Sequence, residues 1–588
     1  MCGIAGFMST RGAAPEPALL DRFAEALAHR GPDGVGRYRS GGMAMVQTRL
    51  AIIDLETGDQ PLFEPEGAVL IANAEIYDYV EQRQTLGVER FATGSDCEVP
   101  LHLYRRDGVR FADGLRGMYA IALYDPTVER LLLARDPFGI KPLYYARTGA
   151  GLAFASEPQA LIKAGLIEPR LDPAARDRLL QLQFVTGRKT IFEGIQRVLP
   201  GETLVIARGR IVERLRRPAL PDGGPEPWTE AEALRRLDAA LEDSVRVHER
   251  ADVPFGLFLS GGIDSSALLA VMARLDGSPI KAFTVGFPDS RAHDERAHAA
   301  KLAKRLGAEH VEVAFTRDDF WRLLPRVADA LDDPVADYAA LPTYRLAEIA
   351  GAELKVVLTG EGGDEIFAGY GRYRSAVRPW WRGGKAFRGR GAFDGLGILR
   401  ERPTGWRDDI TAAEATEARD GRSPLQIAQA VDTVDWLAHD LLVKVDRCLM
   451  AHGVEGRTPI LDPAVAGVGF PLPDPLKIHG GRGKWLLRRW LAEVLPEAAP
   501  FARKRGFSVP VAEWISAEGP RLGPLVAAQP GIEEVCHRDE VIALFRDCNA
   551  RRKGFAAWVL LFYALWHRRH MLGRAAAGDA FETLATDV

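Results

Sequence analysis

A glycine-rich turn in the middle of the chain has the composition of an anion-binding site. Residues 253–259 form a short apolar run that predicts a buried strand, and Ser260–Gly262 follow as a turn in which two glycines let the backbone approach a ligand. Asp264 then opens an apolar-periodic segment, residues 266–275, that predicts a helix. Free N–H groups and the helix dipole at such a junction favour negative charge. The alternative is a tight strand-to-helix turn without a ligand.

The start of the chain, Met1-Cys2-Gly3, places a thiol at the second position. A small residue there usually permits removal of the initiator methionine, which would leave Cys2 with a free α-amino group beside its thiol. The amine titrates near ~8 and the thiol near ~8.5, so the amine can take the thiol proton at neutral pH without a histidine. The alternative is an incidental buried cysteine in a strand predicted over residues 2–8.

Length and composition limit the classes of protein to which this chain can belong. A chain of 588 residues is too long for one core, and about two to four domains are expected. The apolar fraction of 47%, the charged fraction of 27% and the net charge of −4 are ordinary for a soluble protein and give no reason to expect nucleic acid or an anionic membrane. Five cysteines without a Cys-x-x-Cys motif indicate neither a disulfide framework nor a structural zinc site. No signal peptide is visible, and the longest apolar run, residues 556–566, is too short to span a bilayer, so a cytoplasmic enzyme is expected.

Short motifs follow Cys2 in a fixed order over the first part of the chain. They are His29–Gly34, Arg49–Asp54, Asn73–Tyr77, Gly94–Glu98, Leu115–Ala120 and Ala134–Tyr144. The series resembles the N-terminal-nucleophile (Ntn) glutamine amidotransferase domain, and the resemblance covers residues 2–200. It implies an α+β fold of two stacked antiparallel sheets flanked by helices. Alternating patterns at residues 120–124 and 130–134 are compatible with that fold.

The resemblance implies how glutamine would be bound and cleaved. Cys2 attacks the side-chain amide to give a thioester and ammonia, while the Asn73 side chain and the next backbone N–H hold the oxyanion. Arg49 takes the α-carboxylate through a bidentate contact, and Asp96 with the Glu75 region accepts hydrogen bonds from the α-amino group. The implied glutamine-binding set is Arg49, Ile52, Ile53, Asn73, Ala74, Glu75 and Asp96. The alternative for Arg49 and Asp96 is a surface ion pair.

One position departs from the family pattern. The family usually has Asn-Gly-Glu where this chain has Asn73-Ala74-Glu75. Alanine keeps the backbone N–H but adds a Cβ and disfavours a positive φ. We expect little loss if this backbone is in an ordinary region, and weak glutaminase activity if it is not.

The composition changes near residue 212. Arginine, proline and glycine are concentrated in residues 214–227, which indicates a domain boundary. Beyond it, predicted strands at 280–287, 309–313 and 355–358 alternate with helices, which indicates an α/β doubly wound parallel sheet followed by a helical C-terminal part. Both glycine motifs fall at carboxyl ends of strands, where ligands bind on such sheets. The expected division is a glutaminase domain at 1–212, a linker at 213–228, a nucleotide-binding domain at 229–573 and a tail at 574–588.

The second half carries its own series of motifs. They are Ser260–Ser266, Phe283–Gly286, Thr359–Glu365 with Gly369-Tyr370, Leu441–Arg447, Glu455–Asp462, Lys484–Arg488 and Lys504–Phe507. The first of them lacks the lysine of a Walker A loop and resembles the pyrophosphate loop of the ATP pyrophosphatases. The whole half resembles the synthetase domain of class B, glutamine-hydrolysing asparagine synthetases.

The resemblance implies roles for residues of these motifs. The implied ATP-binding set is Leu259, Ser260, Gly261, Gly262, Asp264, Ser265, Val285, Thr359 and Gly360. Within that set, the two serines and the two glycines of the first turn hold the departing pyrophosphate, and Leu259, Val285 and Gly360 line the adenine and ribose pocket. Asp264 and Asp364 are the implied Mg²⁺ ligands, since hard oxygen ligands suit this ion. Glu361 would take a proton from the attacking ammonia, and Lys484 would offset charge on the α-phosphate and pyrophosphate.

Other roles for charged residues of the second half stay open. Asp364 and Glu365 fit a helix N-cap and a first-turn acid. Lys484 fits a solvated loop, and Arg457 fits a buried structural ion pair. Residues 372–402, with eight arginines, fit a flexible cover over the active site, a solvated loop or a nucleic-acid-binding patch, although no recognised nucleic-acid module is present.

The two resemblances together imply a glutamine-dependent amide synthetase. ATP adenylates the side-chain carboxylate of aspartate, ammonia released at Cys2 crosses between the domains, and the products are asparagine, glutamate, AMP and pyrophosphate. ATP and Mg²⁺ are the implied cofactors; small molecules are the expected partners, with no nucleic acid and no membrane, and a homodimer is a family expectation. Rival hypotheses are another acceptor carboxylate (a peptide or a secondary metabolite), a cyclase such as a β-lactam synthetase, which would not need Cys2, and a non-catalytic ATP-binding regulatory or scaffold protein.

Overall fold

The computed structural model describes residues 2–275, 279–288, 290, 294–378, 381, 387–502 and 509–586. Its first half contains two six-stranded sheets with the orders β10-β8-β9-β1-β3-β2 and β12-β11-β7-β6-β5-β4. The elements are β1 (Gly3–Ser9), α1 (Pro17–Leu27), β2 (Gly34–Ser40), β3 (Met43–Arg49), β4 (Leu62–Phe63), β5 (Val69–Ile76), α2 (Tyr79–Leu86), α3 (Val99–Asp107), β6 (Gly117–Asp125), β7 (Arg130–Arg135), β8 (Tyr144–Arg147), β9 (Gly151–Ala155), α4 (Pro158–Lys163), α5 (Pro173–Leu182), β10 (Ile195–Arg197), β11 (Glu202–Ala207) and β12 (Arg210–Arg216). Neighbouring strands are antiparallel throughout, which confirms the predicted fold.

The two sheets stack because each turns an apolar face toward the other. Ile4 and Met45 of the first sheet share a buried cluster with Ile71 and Leu133 of the second. The outer face of the first sheet packs against α1, and the outer face of the second packs against α3. The sandwich is therefore covered by helices on both sides.

Strand alternation determines which residues point into the space between the sheets. Ile4 on β1 and Ile71 on β5 both belong to the inter-sheet cluster, and residues two positions apart share a face of a strand. Cys2 and Asn73 therefore point toward that same space. Ala74 belongs to the cluster on the opposite face of β5.

The second half is built on a five-stranded parallel sheet with the order β15-β14-β13-β16-β17. The elements are α6 (Glu230–His248), β13 (Phe255–Phe258), α7 (Ile263–Leu275), β14 (Lys281–Gly286), α8 (Arg296–Leu306), β15 (Glu309–Ala314), α9 (Arg317–Ala330), α10 (Ala340–Ala350), β16 (Val356–Leu358), α11 (Gly363–Ile366), α12 (Gly371–Ala376), α13 (Asp408–Glu417), α14 (Pro424–Asp432), α15 (Leu442–Met450), β17 (Glu455–Arg457), α16 (Pro463–Gly469), α17 (Asp474–Lys477), α18 (Trp485–Val494), α19 (Val511–Ala527), α20 (Pro530–Glu533), α21 (Arg538–Arg546), α22 (Arg551–His570) and α23 (Ala580–Ala585). A π-helical segment, residues 433–441, joins α14 to α15. Helices between the strands and a helical C-terminal part confirm the predicted architecture.

Two details at the ends of the expected units differ from the sequence prediction. The expected tail is wrong for residues 580–585, which form α23; Phe581 lies 4.6 Å from the Trp321 ring and under the Arg521 guanidinium, so this helix is packed. Strand β12 continues to Arg216, so the second sheet extends into the stretch that was predicted as linker.

The described helices contain none that is long and apolar enough to cross a membrane. The cytoplasmic location stays a prediction.

Buried ion pairs join the two halves. Arg30, which follows α1, donates to both carboxylate oxygens of Asp446 on α15 at 2.8 and 3.0 Å, and both side chains are almost fully buried. Arg197 on β10 makes a comparable two-bond contact with Asp333. Because a buried charge is costly without its partner, these contacts fix how the halves sit against each other.

We expect Asp446→Ala to destabilise the protein strongly, because it leaves the Arg30 guanidinium buried without its carboxylate. The expected loss in the free energy of unfolding is about 3–5 kcal/mol, measured by urea unfolding followed through tryptophan fluorescence. The control is Asp21→Ala, which removes the exposed ion pair with Arg37 and should cost under about 1 kcal/mol. Equal effects of the two substitutions would contradict the structural role of the Arg30–Asp446 pair.

Candidate functional site

The first candidate centre lies where Cys2 meets Asn73. The backbone N–H of Cys2 donates to Asn73 Oδ1 at 3.0 Å. Asn73 is fully buried, and its Nδ2 has no hydrogen-bond partner among the described residues. Burial raises the pKa of the Cys2 thiol, and a backbone hydrogen bond from Leu50 offsets part of that effect. The thiol therefore needs a base to become a nucleophile, and an unused amide donor lies beside it.

The alanine that replaces the family glycine sits in ordinary backbone. Ala74 is part of β5, pairs with Tyr119 of β6, and is not among the residues with positive φ. Its side chain belongs to the cluster on the face of β5 that points away from Cys2. The added Cβ therefore neither strains the strand nor enters the space beside the thiol.

The predicted glutamine-binding residues surround this centre with different partners. Arg49 donates to the exposed carboxylate of Asp59 at 2.7 Å and to the Asp54 carbonyl at 2.5 Å, so the alternative of an ion pair with Asp96 is wrong. Asp96 is buried and accepts from the backbone N–H of Ile76 at 2.7 Å; burial raises its pKa to about 6. Of the two predicted isoleucines, the first, at position 52, is buried, and the second, at 53, has its carbonyl 3.4 Å from the Arg49 guanidinium.

Glu75 points to the other half of the molecule. Its carboxylate lies 2.9 Å from the guanidinium of Arg457 on β17, and both side chains are buried. The same guanidinium donates to Glu455 at 2.6 Å. The buried structural ion pair that the sequence allowed for Arg457 is confirmed, and one of its partners, Glu75, lies in the glutaminase half.

The second candidate centre begins at the glycine turn between β13 and α7. Gly261 has a φ of +66°, which favours glycine, and the backbone N–H of Gly262 donates to Ser260 Oγ at 3.2 Å. The hydroxyls of Ser260 and Ser265 are 3.1 Å apart. Two hydroxyls and the start of a 13-residue helix thus converge on one point, as an anion site requires.

The remaining predicted ATP-binding residues flank this turn. Leu259 is buried and its carbonyl accepts from the Thr284 hydroxyl at 2.6 Å, while Val285 is buried on the neighbouring strand β14. Thr359 donates its backbone N–H to the Arg457 carbonyl at 2.8 Å. A Cβ on Gly360 would stand 3.0 Å from the Cβ of Asp264, so this glycine lets the two loops approach each other.

Lys484 lies between the two predicted metal ligands. Its Nζ is 3.0 Å from Asp364 Oδ1 and in contact with Asp264 Oδ2. Although burial alone would lower it, the pKa of Lys484 is raised because the two carboxylates stabilise the ammonium. The alternative of a solvated loop is wrong, since Lys484 is only 2% exposed.

Two glycines make room for these acids. A Cβ on Gly363 would be 2.3 Å from Asp264 Oδ1, and one on Gly369 would be 1.8 Å from Asp364 Oδ1. Asp264 Oδ1 is buried and has no hydrogen-bond partner in the described part of the chain. Two carboxylates held at a close-packed site, one with a free oxygen, fit a hard cation such as Mg²⁺. The described residues form no cluster of three or more metal-ligating side chains, so phosphate oxygens and water would have to complete the shell.

Two glutamates beside these acids have raised pKa values. Burial is the main cause for Glu361, with Lys444 opposing it and the nearby acids adding to it. Burial and the Asp364 charge raise the pKa of Glu365 to about 8, although the Tyr370 hydroxyl donates to it at 2.8 Å. Neither Asp364 nor Glu365 is the N-cap of α11, because that position is Gly362. The first-turn position proposed for Glu365 is confirmed.

Part of the arginine-rich segment folds onto this second centre. Arg372 and Arg388 both pair with the buried carboxylate of Asp432, at 2.6 and 2.8 Å. The Arg372 guanidinium lies 3.7 Å from the Tyr370 ring centre, and that of Arg388 lies 4.0 Å from the Trp436 ring centre. Both arginines therefore have a structural role, since each is held by an ion pair and by an aromatic ring. Residues 379–380 and 382–386 of the segment, and the motif 504–507, lie outside the described residues.

No role was predicted from the sequence for several residues that shape the two centres. Lys444 on α15 donates to Asp337 at 2.9 Å, and both charges act on the pKa of Glu361. The π-helical segment that carries Trp436 was also missed; such segments are frequent at functional sites. A charged residue within an apolar helix, as in Leu441–Arg447, was the available signal for Lys444.

Comparisons with known proteins give the same assignment to both halves. The family model described as asparagine synthase matches residues 236–568, and the one described as glutamine amidotransferase domain matches residues 1–215. A putative glutamine-hydrolyzing asparagine synthetase of Mycobacterium tuberculosis is 34% identical over 96% of this chain and 97% of its own. Glutamine-hydrolyzing asparagine synthetase 1 of Bacillus subtilis is 32% identical over 96% of each chain. A Penicillium rubens protein named amidase chyE is 32% identical over 64% of this chain and 60% of its own.

The raised pKa of Glu365 predicts a pH-dependent stability. Its folded pKa of about 8 exceeds the ordinary value near ~4.3, so its stabilising contribution is complete below the ordinary value and is lost as the pH rises through about 8. Glu365→Gln keeps a partner for the Tyr370 hydroxyl and cannot ionise. We therefore expect the melting temperature of this variant, relative to wild type, to increase between pH 5.5 and pH 8.5.

The matched control is Glu168→Gln, which changes an exposed glutamate paired with Arg170. Its melting temperature should follow that of wild type across the same pH range. If Glu365→Gln also follows wild type, Glu365 does not ionise in that range and the proposed cause is wrong.

Proposed function

The chain belongs to the asparagine synthase family, and on that premise we propose that it is a glutamine-hydrolysing asparagine synthetase. It converts aspartate, ATP, glutamine and water to asparagine, glutamate, AMP and pyrophosphate. The observation that carries the proposal is the presence of both centres in one chain, Cys2 against Asn73 in the first half and Lys484 between two aspartates in the second.

In the first half, Cys2 acts as the nucleophile. The α-amino group that removal of Met1 would expose takes the thiol proton, and the thiolate attacks the amide carbon of glutamine. Asn73 Nδ2, which has no hydrogen-bond partner among the described residues, donates to the oxyanion. The proton passes to the departing ammonia, and water then releases glutamate from the thioester.

The α-groups of glutamine are held by two of the flanking residues. Arg49 takes the α-carboxylate in place of Asp59, whose side chain is 81% exposed and can move into solvent. Asp96 accepts from the α-amino group. Glu75 supports this centre indirectly, because its carboxylate already pairs with Arg457.

In the second half, ATP is the substrate that activates the acceptor. A carboxylate oxygen of aspartate attacks the α-phosphorus, the bond to pyrophosphate breaks, and the Ser260–Ser265 turn holds the departing group. Lys484 offsets the charge that develops there. Asp264 and Asp364 would hold Mg²⁺, which neutralises phosphate charge when bound.

Ammonia completes the reaction at the acyl carbon. Its lone pair forms the new C–N bond, AMP leaves, and Glu361 takes the surplus proton; a raised pKa suits a carboxylate to that task. Ammonia passes directly from Cys2 to this point, because in water it would be protonated and lost as a nucleophile.

Other features of the enzyme also stay proposals. We place the glutaminase domain at 1–216, to the end of β12, and the synthetase domain at 229–585, to the end of α23, and we expect a cytoplasmic homodimer. A β-lactam synthetase has no need for a Cys2–Asn73 pair. A non-catalytic regulator has no need for Lys484 buried between two acids.

Replacement of the nucleophile should separate the two activities. We expect Cys2→Ala to lose glutamine-dependent synthesis by at least about 10³-fold, since the thioester can no longer form. Ammonium-dependent formation of asparagine and AMP from aspartate should remain near the wild-type rate. Both rates are measured by AMP release at saturating ATP, with glutamine or with ammonium as nitrogen donor.

The reciprocal control is Asp264→Ala. It should abolish AMP formation with either nitrogen donor, while glutamate release from glutamine persists. Loss of ammonium-dependent synthesis in Cys2→Ala, or unchanged AMP release in Asp264→Ala, would contradict the assignment of separate centres.

A further inference from the structure

A cavity of about 800 Å³ lies where the two halves and the C-terminal helices meet. Gln183 lines it from the first half, Asp337 and Trp436 line it from the second, and Val511 and Trp558 line it from α19 and α22. Most of the lining is aromatic or aliphatic. A volume of this size accommodates a drug-sized ligand, whereas aspartate has only four carbon atoms and would leave most of it empty.

Two residues of the cavity lining, Asp337 and Trp436, are hydrogen-bonded to side chains beside the second candidate centre. On one side Asp337 accepts from Lys444, whose charge acts on Glu361. On the other side the Trp436 indole donates to the Tyr370 hydroxyl at 3.3 Å, and that hydroxyl donates to Glu365 at 2.8 Å.

Helix α19, which contributes Val511 and Ala512 to the cavity, also packs against a residue beyond the carboxyl end of a strand of the parallel sheet. Phe287 follows the carboxyl end of β14 and packs at 6.4 Å against Trp514, which is on α19 near Val511. Ligands of such sheets bind beyond the carboxyl ends of the strands. Helix α19 therefore connects the cavity wall to the edge of the sheet where such ligands bind.

Arg552 lines the cavity and has no ion-pair partner among the described residues. The Arg552 side chain is half-buried, and its Nη2 is shielded from solvent without a hydrogen-bond partner. Across the described part of the chain its guanidinium forms no hydrogen bond or ion pair. A guanidinium nitrogen that is shielded from water without a partner costs free energy, and an anionic ligand in the cavity would supply that partner.

We propose that this cavity binds a second class of acceptor, a dicarboxylic acid with an aromatic or aliphatic body. One carboxylate reaches the Glu361 and Lys484 side and is amidated, the body packs on Trp436 and Trp558, and the far carboxylate pairs with Arg552. This inference rests on the proposed function, since the same centre performs the chemistry, and it adds an acceptor beyond aspartate.

The reaction with this acceptor is balanced by the reagents of the proposed function. The near carboxylate oxygen bonds to the α-phosphorus of ATP and pyrophosphate leaves. Ammonia then bonds to the acyl carbon, AMP leaves with the C–O bond electrons, and the surplus proton passes to Glu361. The product is a primary amide that keeps its far carboxylate on Arg552.

The test uses the full-length enzyme with ammonium as nitrogen donor and three acids. They are 1,4-phenylenediacetate, which has carboxylates at opposite ends of a ring, phenylacetate, which lacks the far carboxylate, and aspartate. AMP release gives kcat and KM, and calorimetric titration gives the affinity without turnover. We expect 1,4-phenylenediacetate to bind and to release AMP with a lower KM than phenylacetate.

Arg552→Gln should raise the KM and Kd for 1,4-phenylenediacetate by about 10- to 100-fold, since a hydrogen-bonded charge pair is lost. The values for phenylacetate and aspartate should not change, and Arg552→Lys should restore part of the affinity. A change in KM for 1,4-phenylenediacetate alone would exclude a general folding defect in Arg552→Gln. The melting temperature of the variant checks its folding independently.

Three outcomes separate this inference from the proposed function. If aspartate supports AMP release while 1,4-phenylenediacetate neither binds nor reacts, the second acceptor class is refuted. If that acid binds equally well to wild type and Arg552→Gln, the role of Arg552 is refuted. If no acid supports AMP release but Arg552-dependent binding persists, the proposed function fails and the cavity's ligand class stands.

Discussion

The buried guanidinium of Arg457 is the constraint on which the relation between the two centres depends. It is shielded completely from solvent and is shared by Glu75 on β5, Glu455 on β17 and the carbonyls of His248 and Arg250, at 2.6 to 2.9 Å. Burying such a charge costs several kcal/mol unless every partner is in place. The strand that carries Asn73 is therefore held at one position against the edge strand of the parallel sheet. The backbone of the same residue accepts from Thr359, which begins the second glycine loop, so Arg457 touches both centres.

Charge balance organises the second centre in a similar way. Lys484 is buried between Asp264 and Asp364, and Gly363 and Gly369, which carry no side chain, leave the space that the two carboxylates occupy. Fixed charges in a shielded site interact more strongly than they would in water and need no reorganisation when charge moves. Burial, together with the charge of the neighbouring acids, raises the pKa of Glu361 and of Glu365 and so favours their protonated forms. The centre can therefore offset negative charge on phosphate groups and accept protons, and amide synthesis needs both.

Local sequence patterns predicted the parts of the fold that are locally determined. The glycine turn at residue 260, the alternation on β6 and β7 and the strands β13 to β16 follow from apolar period and turn chemistry. Strand β17 was missed because Glu-Gly-Arg has no apolar run, and it is a strand only because it pairs with β16. The pairing of Arg457 with Glu75 could not be predicted from local sequence either, because Glu75 lies in another sheet. Helix α23 was different: Asp579 and Glu582 form a capping box that the sequence already contained.

Direct passage of ammonia between two fixed centres is the central claim, and an isotope competition tests it most directly. The enzyme would be supplied with aspartate, ATP, glutamine labelled with ¹⁵N at the amide and a large excess of unlabelled ammonium. The ¹⁵N fraction in the asparagine amide would then be measured by mass spectrometry. The account predicts a label fraction far above that of the bulk ammonia pool. A fraction equal to that of the bulk pool would contradict it, because the ammonia would then have left the protein before it reacted.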